Sequence, residues 1–323
     1  MEPKPILAMV IPCCNEEAIL PETAKQLKTI LDNLISQEEI DGNSKIIFID
    51  DGSKDNTWET ITNLSEGNSI FSGIRFSRNF GHQNALLAGL MKAREFADAS
   101  ITIDADLQQD VSAIPEFLKK YKEGNDVVLG VRKERTADSF LKKLTGNFFY
   151  GMMKFMGVDI IPNHADYRLL SKKALDILSQ YEETNLFLRA LILKIGLKST
   201  TLIYEQHERT AGETKYSFIK MLKFALIGIT SFSTYPINLI FYFGCIILIV
   251  CAIAILNFIY EYLMGYTVPG WPTILVSIWF FGGVQLISIG IIGIYIGKIY
   301  NETKRRPKFI KESDIGFNNI KNK

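Results

Sequence analysis

Asp104 and Asp106 lie one residue apart at the end of a short apolar run, Ser100–Asp104, and two carboxylates so spaced can face one hard cation. Mg²⁺ or Mn²⁺ takes such oxygen ligands while keeping positions open for substrate phosphates, and it stabilises charge on a departing diphosphate. The same pair could equally form an Asx-turn or helix cap. Asp50-Asp51-Gly52-Ser53 likewise reads as a turn and N-cap ahead of a helix near Lys54. There is no GxGxxG and no GxxxxGK[ST], so neither a dinucleotide fingerprint nor a P-loop is available to hold phosphates. Three histidines and four cysteines without a CxxC argue against a zinc module or disulfide scaffold.

These carboxylates need elements to position them. Ile6–Pro12, Lys45–Asp50, Ile70–Ser77, Ser100–Asp104 and Asp126–Val131 read as strands, with helices near Glu17–Gln37, Asn56–Ser65, Gln83–Ala97 and Ala113–Lys122. Alternation of this kind implies an α/β domain with a mainly parallel sheet, and ligands then bind at the carboxyl ends of the strands. The acidic and turn residues cluster at those ends: Pro12-Cys13-Cys14-Asn15-Glu16-Glu17, Asp50-Asp51-Gly52-Ser53 and Asp104-Ala105-Asp106-Leu107-Gln108.

Charge is segregated along the 323 residues, of which 47% are hydrophobic and 22% charged. Between Phe224 and Gly297 the single formal charge is Glu261. Within that stretch Ile237–Leu263 and Trp271–Tyr300 are apolar runs longer than the roughly 20 residues a helix needs to cross a bilayer. We therefore expect a two-helix transmembrane hairpin, about 237–263 and 271–300. Lys215, Lys220 and Lys223 precede it and Lys298, Lys304, Arg305, Arg306 and Lys308 follow it, whereas its loop has no Lys or Arg. The positive-inside rule puts both ends in the cytoplasm. The N-terminus has no signal-peptide pattern, so Cys13 and Cys14 are expected as reduced thiols. Domain organisation is then 1–215 catalytic, 216–235 amphipathic and interfacial, 236–300 membrane-spanning and 301–323 a basic tail. The segment 216–235 reads equally as the start of the first span. Gly293–Gly297 is a GxxxG spacing that permits close helix packing, within the hairpin or between copies in a homo-oligomer. A formal net charge of +1 argues against nucleic-acid binding.

Taken together and in order, Ile11-Pro12-Cys13-Cys14-Asn15-Glu16-Glu17, Asp50-Asp51-Gly52-Ser53, Arg78-Asn79-Phe80-Gly81-His82-Gln83, Asp104-Ala105-Asp106-Leu107-Gln108, Asp166-Tyr167-Arg168-Leu169 and Arg209-Thr210-Ala211-Gly212-Glu213-Thr214-Lys215-Tyr216 resemble family 2 glycosyltransferases. Within them the chain is similar to the polyprenyl-phosphate glycosyltransferases, the bactoprenol glucosyltransferase group related to dolichol-phosphate mannose synthases. The resemblance runs from about residue 6 into the basic tail. It implies a GT-A-like, Rossmann-type domain at the cytoplasmic face of a bacterial inner membrane. It further implies inverting transfer of a hexose from a nucleotide sugar, with UDP-glucose the favoured donor, to undecaprenyl phosphate.

Carried over by residue, the resemblance assigns Pro12, Cys14, Glu16, Asp50 and Asp104 to the nucleotide sugar, and Asp104, Asp106 and Gln108 to Mg²⁺ or Mn²⁺. Cys14 replaces the tyrosine often found in the group, which weakens inference about the base read there. Gln109-Asp110-Val111-Ser112 departs from the group's Asp-Pro-Pro continuation. A lipid phosphate monoester, with a second pKa of about 6, is already a nucleophile near neutral pH and needs cations more than a base. Arg132, Lys142, Lys143, Arg209 and Lys215 are the candidates to hold it. Asp106 and Asp166 are the catalytic candidates; Asp166 would assist the acceptor beside the anomeric carbon, or instead orient Arg168 or cap a helix near Ser171. His164 and His207 are assigned no chemistry. A processive polysaccharide synthase is the rival enzyme, but no tryptophan follows an arginine, so the Gln-x-x-Arg-Trp signature of those synthases is absent. A non-catalytic membrane scaffold is the other alternative.

Overall fold

The computed structural model describes residues 3–133, 161, 164–183, 188–206, 235–264 and 270–317. These fall into two compact units, one holding everything to Gln206 together with Arg306–Phe317, the other holding the described residues from Tyr235 to Arg305.

The first unit is built on an eight-stranded sheet. Its strands are β1 (Leu7–Cys13), β2 (Lys45–Asp50), β3 (Phe71–Phe76), β4 (Ala99–Thr102), β5 (Val127–Arg132), β6 (His164–Ser171), β7 (Ser199–Tyr204) and β8 (Lys311–Ile315). They are ordered β7-β5-β6-β4-β1-β2-β3-β8. β4, β1, β2 and β3 are parallel, as are β5 and β7, while β6 runs antiparallel to both neighbours and β8 antiparallel to β3. This is the α/β arrangement with a mainly parallel sheet that the alternation of strands and helices implies.

Helices α1 (Leu20–Ser36), α2 (Thr57–Gly67), α3 (His82–Arg94) and α4 (Ile114–Lys122) follow β1 to β4, each close to its expected position. Leu20, Leu27, Leu31 and Leu34 recur along one face of α1, and the first three are wholly buried. Each such leucine contributes on the order of 1.5–3 kcal/mol by leaving water. β1 and β2 are buried along their whole length, as strands covered on both faces must be. Short helices α5 (Lys172–Leu178) and α6 (Leu188–Lys194) follow β6.

β6, β7 and β8 are strands that the sequence reading did not include. β6 carries the Asp166-Tyr167-Arg168-Leu169 motif into the middle of the sheet. β8 comes from the basic tail: Phe309 stacks on Phe76 with ring centroids 4.9 Å apart, and the Gly316 carbonyl accepts from Lys45 Nζ and Ser72 Oγ, both at 3.0 Å.

The second unit contains two long helices, α7 (Tyr235–Leu263) and α8 (Trp271–Thr303), matching the two apolar runs. Large apolar side chains such as Leu256, Leu286 and Ile287 are exposed on them. Among the described residues, Phe280–Thr303 is long and apolar enough to cross a membrane, and Ile237–Ile247 is a shorter apolar stretch. Lys142, Lys143, His207, Arg209, Lys215 and the 216–234 segment lie outside the described residues.

Candidate active site

The site assembles at the carboxyl ends of β1, β2 and β4, where backbone N–H groups and turn side chains cross-link three loops. Behind β1, Asn15 N–H donates to Ser53 Oγ at 2.9 Å and Glu16 N–H to Thr57 Oγ1 at 2.9 Å, while Asn15 Oδ1 accepts from Lys54 N–H at 2.8 Å. The strand-end segment bearing Pro12, Cys14 and Glu16 is thereby tied to the segment after β2. Cys14 is exposed and its Sγ lies 3.2 Å from Asn79 Nδ2. Loss of solvation raises its thiol pKa, Asp51 and Asp50 add to the rise, and the Asn79 contact opposes it, so Cys14 is a protonated thiol at neutral pH.

After β2, Asp50 and Asp51 divide their labour. Asp50 is wholly buried; its Oδ1 accepts from Ser53 N–H at 2.9 Å and its Oδ2 lies 3.6 Å from Arg75 Nε. Arg75 Nε is also 3.5 Å from Glu312 Oε2 of β8. Asp51 accepts from Phe80 N–H at 2.6 Å and Gly81 N–H at 2.9 Å, fixing the loop that leads into α3. Gly52, at φ +65°, permits this approach: a Cβ there would stand 2.3 Å from the Arg78 carbonyl carbon. Both aspartates therefore shape turns, the alternative left open by the sequence.

After β4, Asp104 accepts from Gln109 Nε2 at Oδ2 (2.7 Å), and its backbone N–H donates to Gln109 Oε1 at 3.0 Å. Asp104 Oδ1 is buried and has no hydrogen-bond partner. Burial raises the Asp104 pKa, and the Asp166 and Asp106 charges add to this against His82 and Arg132. Asp106 Oδ1 accepts from Gln108 N–H at 3.1 Å in a tight turn that holds Leu107 at φ +54°. The Gln108 carboxamide oxygen accepts from Gln206 Nε2 at 3.4 Å.

An unpartnered buried carboxylate oxygen next to a second aspartate fits a divalent cation. No group of three His, Cys, Asp or Glu suited to a metal occurs among the described residues. A two-carboxylate set nonetheless suits Mg²⁺ or Mn²⁺, which retain water and substrate phosphate in their remaining positions.

β6 brings Asp166 to the same place. Arg168, wholly buried and two residues along the strand, pairs with Asp166 Oδ1. From α6, Arg189 Nη2 lies 3.0 Å from Asp166 Oδ2 and Nε 3.3 Å from Oδ1, and Gln83 Nε2 approaches Oδ2 at 3.4 Å. His82, first residue of α3, bridges the two acidic sites: its Nε2 is 3.5 Å from Asp166 Oδ2 and 3.6 Å from Asp104 Oδ1. Burial alone would raise the Asp166 pKa, but Arg168, His82 and Arg189 hold it well below the usual carboxylate range. Asp166 is therefore an ionised anchor for cations and a poor proton acceptor. Arg132 ends β5, its charge opposes the rise at Asp104, and its Nε is buried without a hydrogen-bond partner.

Asp104, Asp106 and Asp166 thus converge with Arg132. His82, Arg189 and Gln109 were not singled out from the sequence. His82 lies inside a quoted motif and Gln109 beside one; Arg189 stands 23 residues beyond Asp166 with no motif to mark it.

The profile of Glycosyl transferase family 2 matches residues 8–179. An uncharacterised glycosyltransferase of Bacillus subtilis, YkoT, is 47% identical over 97% of this chain and 93% of its own. A prophage bactoprenol glucosyl transferase homolog of Escherichia coli is 39% identical over 94% of this chain and 97% of its own. Among solved structures, the mannosyltransferase PcManGT of Pyrobaculum calidifontis, in complex with GDP-Man and Mn²⁺, is similar with a TM-score of 0.48 and 16% identity, over 71% of this chain and 64% of that one.

Proposed function

The chain belongs to glycosyl transferase family 2, and on that premise we propose that it transfers a hexose, most favourably glucose from UDP-glucose, onto polyprenyl phosphate at the cytoplasmic face of a bacterial inner membrane. The observation that carries this reading is the meeting, at the carboxyl end of β4, of the Asp104–Asp106 turn with the unpartnered Asp104 oxygen and the Asp166 cluster of cations. Relatives named as bactoprenol glucosyl transferases, aligned over nearly the whole chain, support the lipid acceptor and the sugar.

In this reading Asp104 and Asp106 hold Mg²⁺ or Mn²⁺, which supplies charge stabilisation for the departing diphosphate. Pro12, Cys14 and Glu16 line the nucleotide side, with Asp50 and Asp51 keeping its loops in shape. A phosphate oxygen of the lipid attacks the anomeric carbon; the bond from that carbon to the diphosphate breaks, and the electron pair leaves with the nucleoside diphosphate. One displacement inverts the configuration. The attacking phosphate is already ionised near neutral pH, so no proton need be taken from it. Asp166 accordingly serves by orienting Arg189 and His82 toward the reacting groups. Arg132, Lys142, Lys143, Arg209 and Lys215 are the cations proposed to hold the acceptor phosphate.

We assign α7 and α8 to a membrane hairpin with both ends in the cytoplasm, on the basis of their apolar length and the basic residues that flank them.

The test is an assay of the full-length protein in detergent with a panel of UDP- and GDP-sugars and a short polyprenyl phosphate, reading the lipid product by mass. A lipid-phosphate hexose formed from one donor supports the reading, as does loss of about 10²-fold or more on Asp106→Asn and in EDTA. Native-rate turnover in EDTA removes the metal from it. Failure of every donor with the lipid acceptor removes the proposed reaction.

A further inference from the structure

Gln109 is 2% exposed, and both ends of its carboxamide bond to Asp104. The oxygen takes the Asp104 backbone N–H at 3.0 Å and the nitrogen gives a hydrogen to Asp104 Oδ2 at 2.7 Å, which closes the loop from 104 to 109 on itself. A planar amide is suited to this because it accepts and donates from one rigid group without adding charge; an ionised carboxylate could take the N–H but could not donate to Oδ2. The backbone of Gln109 is meanwhile fastened to Gln206 by an antiparallel bridge, so the amide works from a fixed base.

The consequence falls on the other Asp104 oxygen. With Oδ2 held, the carboxylate cannot turn, and Oδ1 is left buried and without a hydrogen-bond partner, with His82 Nε2 standing 3.6 Å away. Leaving a buried carboxylate oxygen unsatisfied is costly unless a ligand takes it.

We propose that Gln109 is a positioning residue that locks Asp104 through its Oδ2 and backbone N–H and so presents Oδ1 to the divalent cation. This rests on the reading of Asp104 and Asp106 as the cation's ligands. Groups that hydrogen-bond to a metal-ligating carboxylate govern its orientation, and their removal typically costs about 10- to 100-fold in metal affinity.

The experiment is Mn²⁺ binding to the full-length, detergent-solubilised protein, followed by electron paramagnetic resonance without any sugar nucleotide, alongside the melting temperature. Gln109→Met keeps the side chain's approximate bulk and deletes both bonds; we expect Mn²⁺ affinity to fall about 10- to 100-fold. Gln109→Asn keeps the amide but is one methylene too short to make both bonds together, so a smaller loss in the same direction is expected; it serves as the test if the Met variant does not fold. Wild-type Mn²⁺ affinity in a folded Met or Asn variant, whatever the change in melting temperature, overturns the proposal. Asp104→Asn separates the two levels. If it abolishes Mn²⁺ binding while the Gln109 variants bind normally, only the role of Gln109 is wrong. If Asp104→Asn binds Mn²⁺ as the wild type does, the cation site and the proposal fall together.

Discussion

Arg189 lays its guanidinium across both oxygens of Asp166, Nη2 at 3.0 Å from Oδ2 and Nε at 3.3 Å from Oδ1, although the two residues belong to different elements. Arg168 pairs with the same carboxylate from within β6, so one negative charge is shared by two guanidinium groups. A carboxylate so engaged stays ionised and orients its partners.

Asp166→Asn therefore leaves Arg168, wholly buried, without its carboxylate, and removal of one partner from a buried pair costs about 3–5 kcal/mol. A marked fall in melting temperature and loss of turnover are expected. Because the folded Asp166 pKa is depressed, its contribution to stability is present above the unfolded value of about 3.9 and is lost as pH falls through the folded value. No limb from Asp166 should appear in the pH–rate profile between pH 5 and 8; a limb there that vanishes in Asp166→Asn would show that it titrates as a base.

The two described histidines should pull the pH dependence of stability in opposite directions in the chelator-treated protein. Burial tends to lower the His82 pKa, but Asp166 and Asp104 raise it on balance, so its contribution is complete below about 6.5 and is lost as pH rises through the folded value. His164 is lowered to about 3 by burial and by Arg168 and Arg189, and neither ring nitrogen has a hydrogen-bond partner. The unfolded chain binds a proton there that the folded protein refuses, so stability should decline as pH falls from about 6.5 toward 3. His82→Gln should flatten the alkaline slope of melting temperature against pH and His164→Phe the acid slope; unchanged slopes in both variants would refute the assignment.

For topology, a cysteine at Thr267 should react with an impermeant thiol reagent on intact cells, whereas one at Asp314 should react only after permeabilisation. Asp314 is the better inner probe because it is exposed on β8, while its neighbour Ser313 is half-buried. Labelling at Asp314 alone would reverse the orientation.

Gly316 secures the end of the tail. At φ +83° a Cβ would stand 2.5 Å from Ser65 Oγ and 2.6 Å from the Phe71 carbonyl oxygen, so Gly316→Val should release β8 from β3. Trypsin should then cut at Arg305 or Lys308 several-fold faster than in the wild type. An unchanged digestion rate would mean that β8 holds without this residue.

The sequence by itself determined the elements whose signal is local. The leucine spacing of α1, the apolar lengths of α7 and α8, and the placing of Asp104 and Asp106 at a strand end all follow from near neighbours along the chain. β6 escaped because Asp166 and Arg168 interrupt its apolar run, and such charges are stable in a strand interior only where folding brings them partners. β8, Lys-Glu-Ser-Asp-Ile, is too polar to announce a strand and becomes one by hydrogen-bonding to β3. Tertiary structure alone decided that Asp50 and Asp51 turn inward to hold loops, and that His82, Gln109 and Arg189 close around Asp104 and Asp166. The physical reason is that a charge can be buried only where an opposite charge or a hydrogen bond meets it, and for Asp166 those partners come from three elements that only folding brings together.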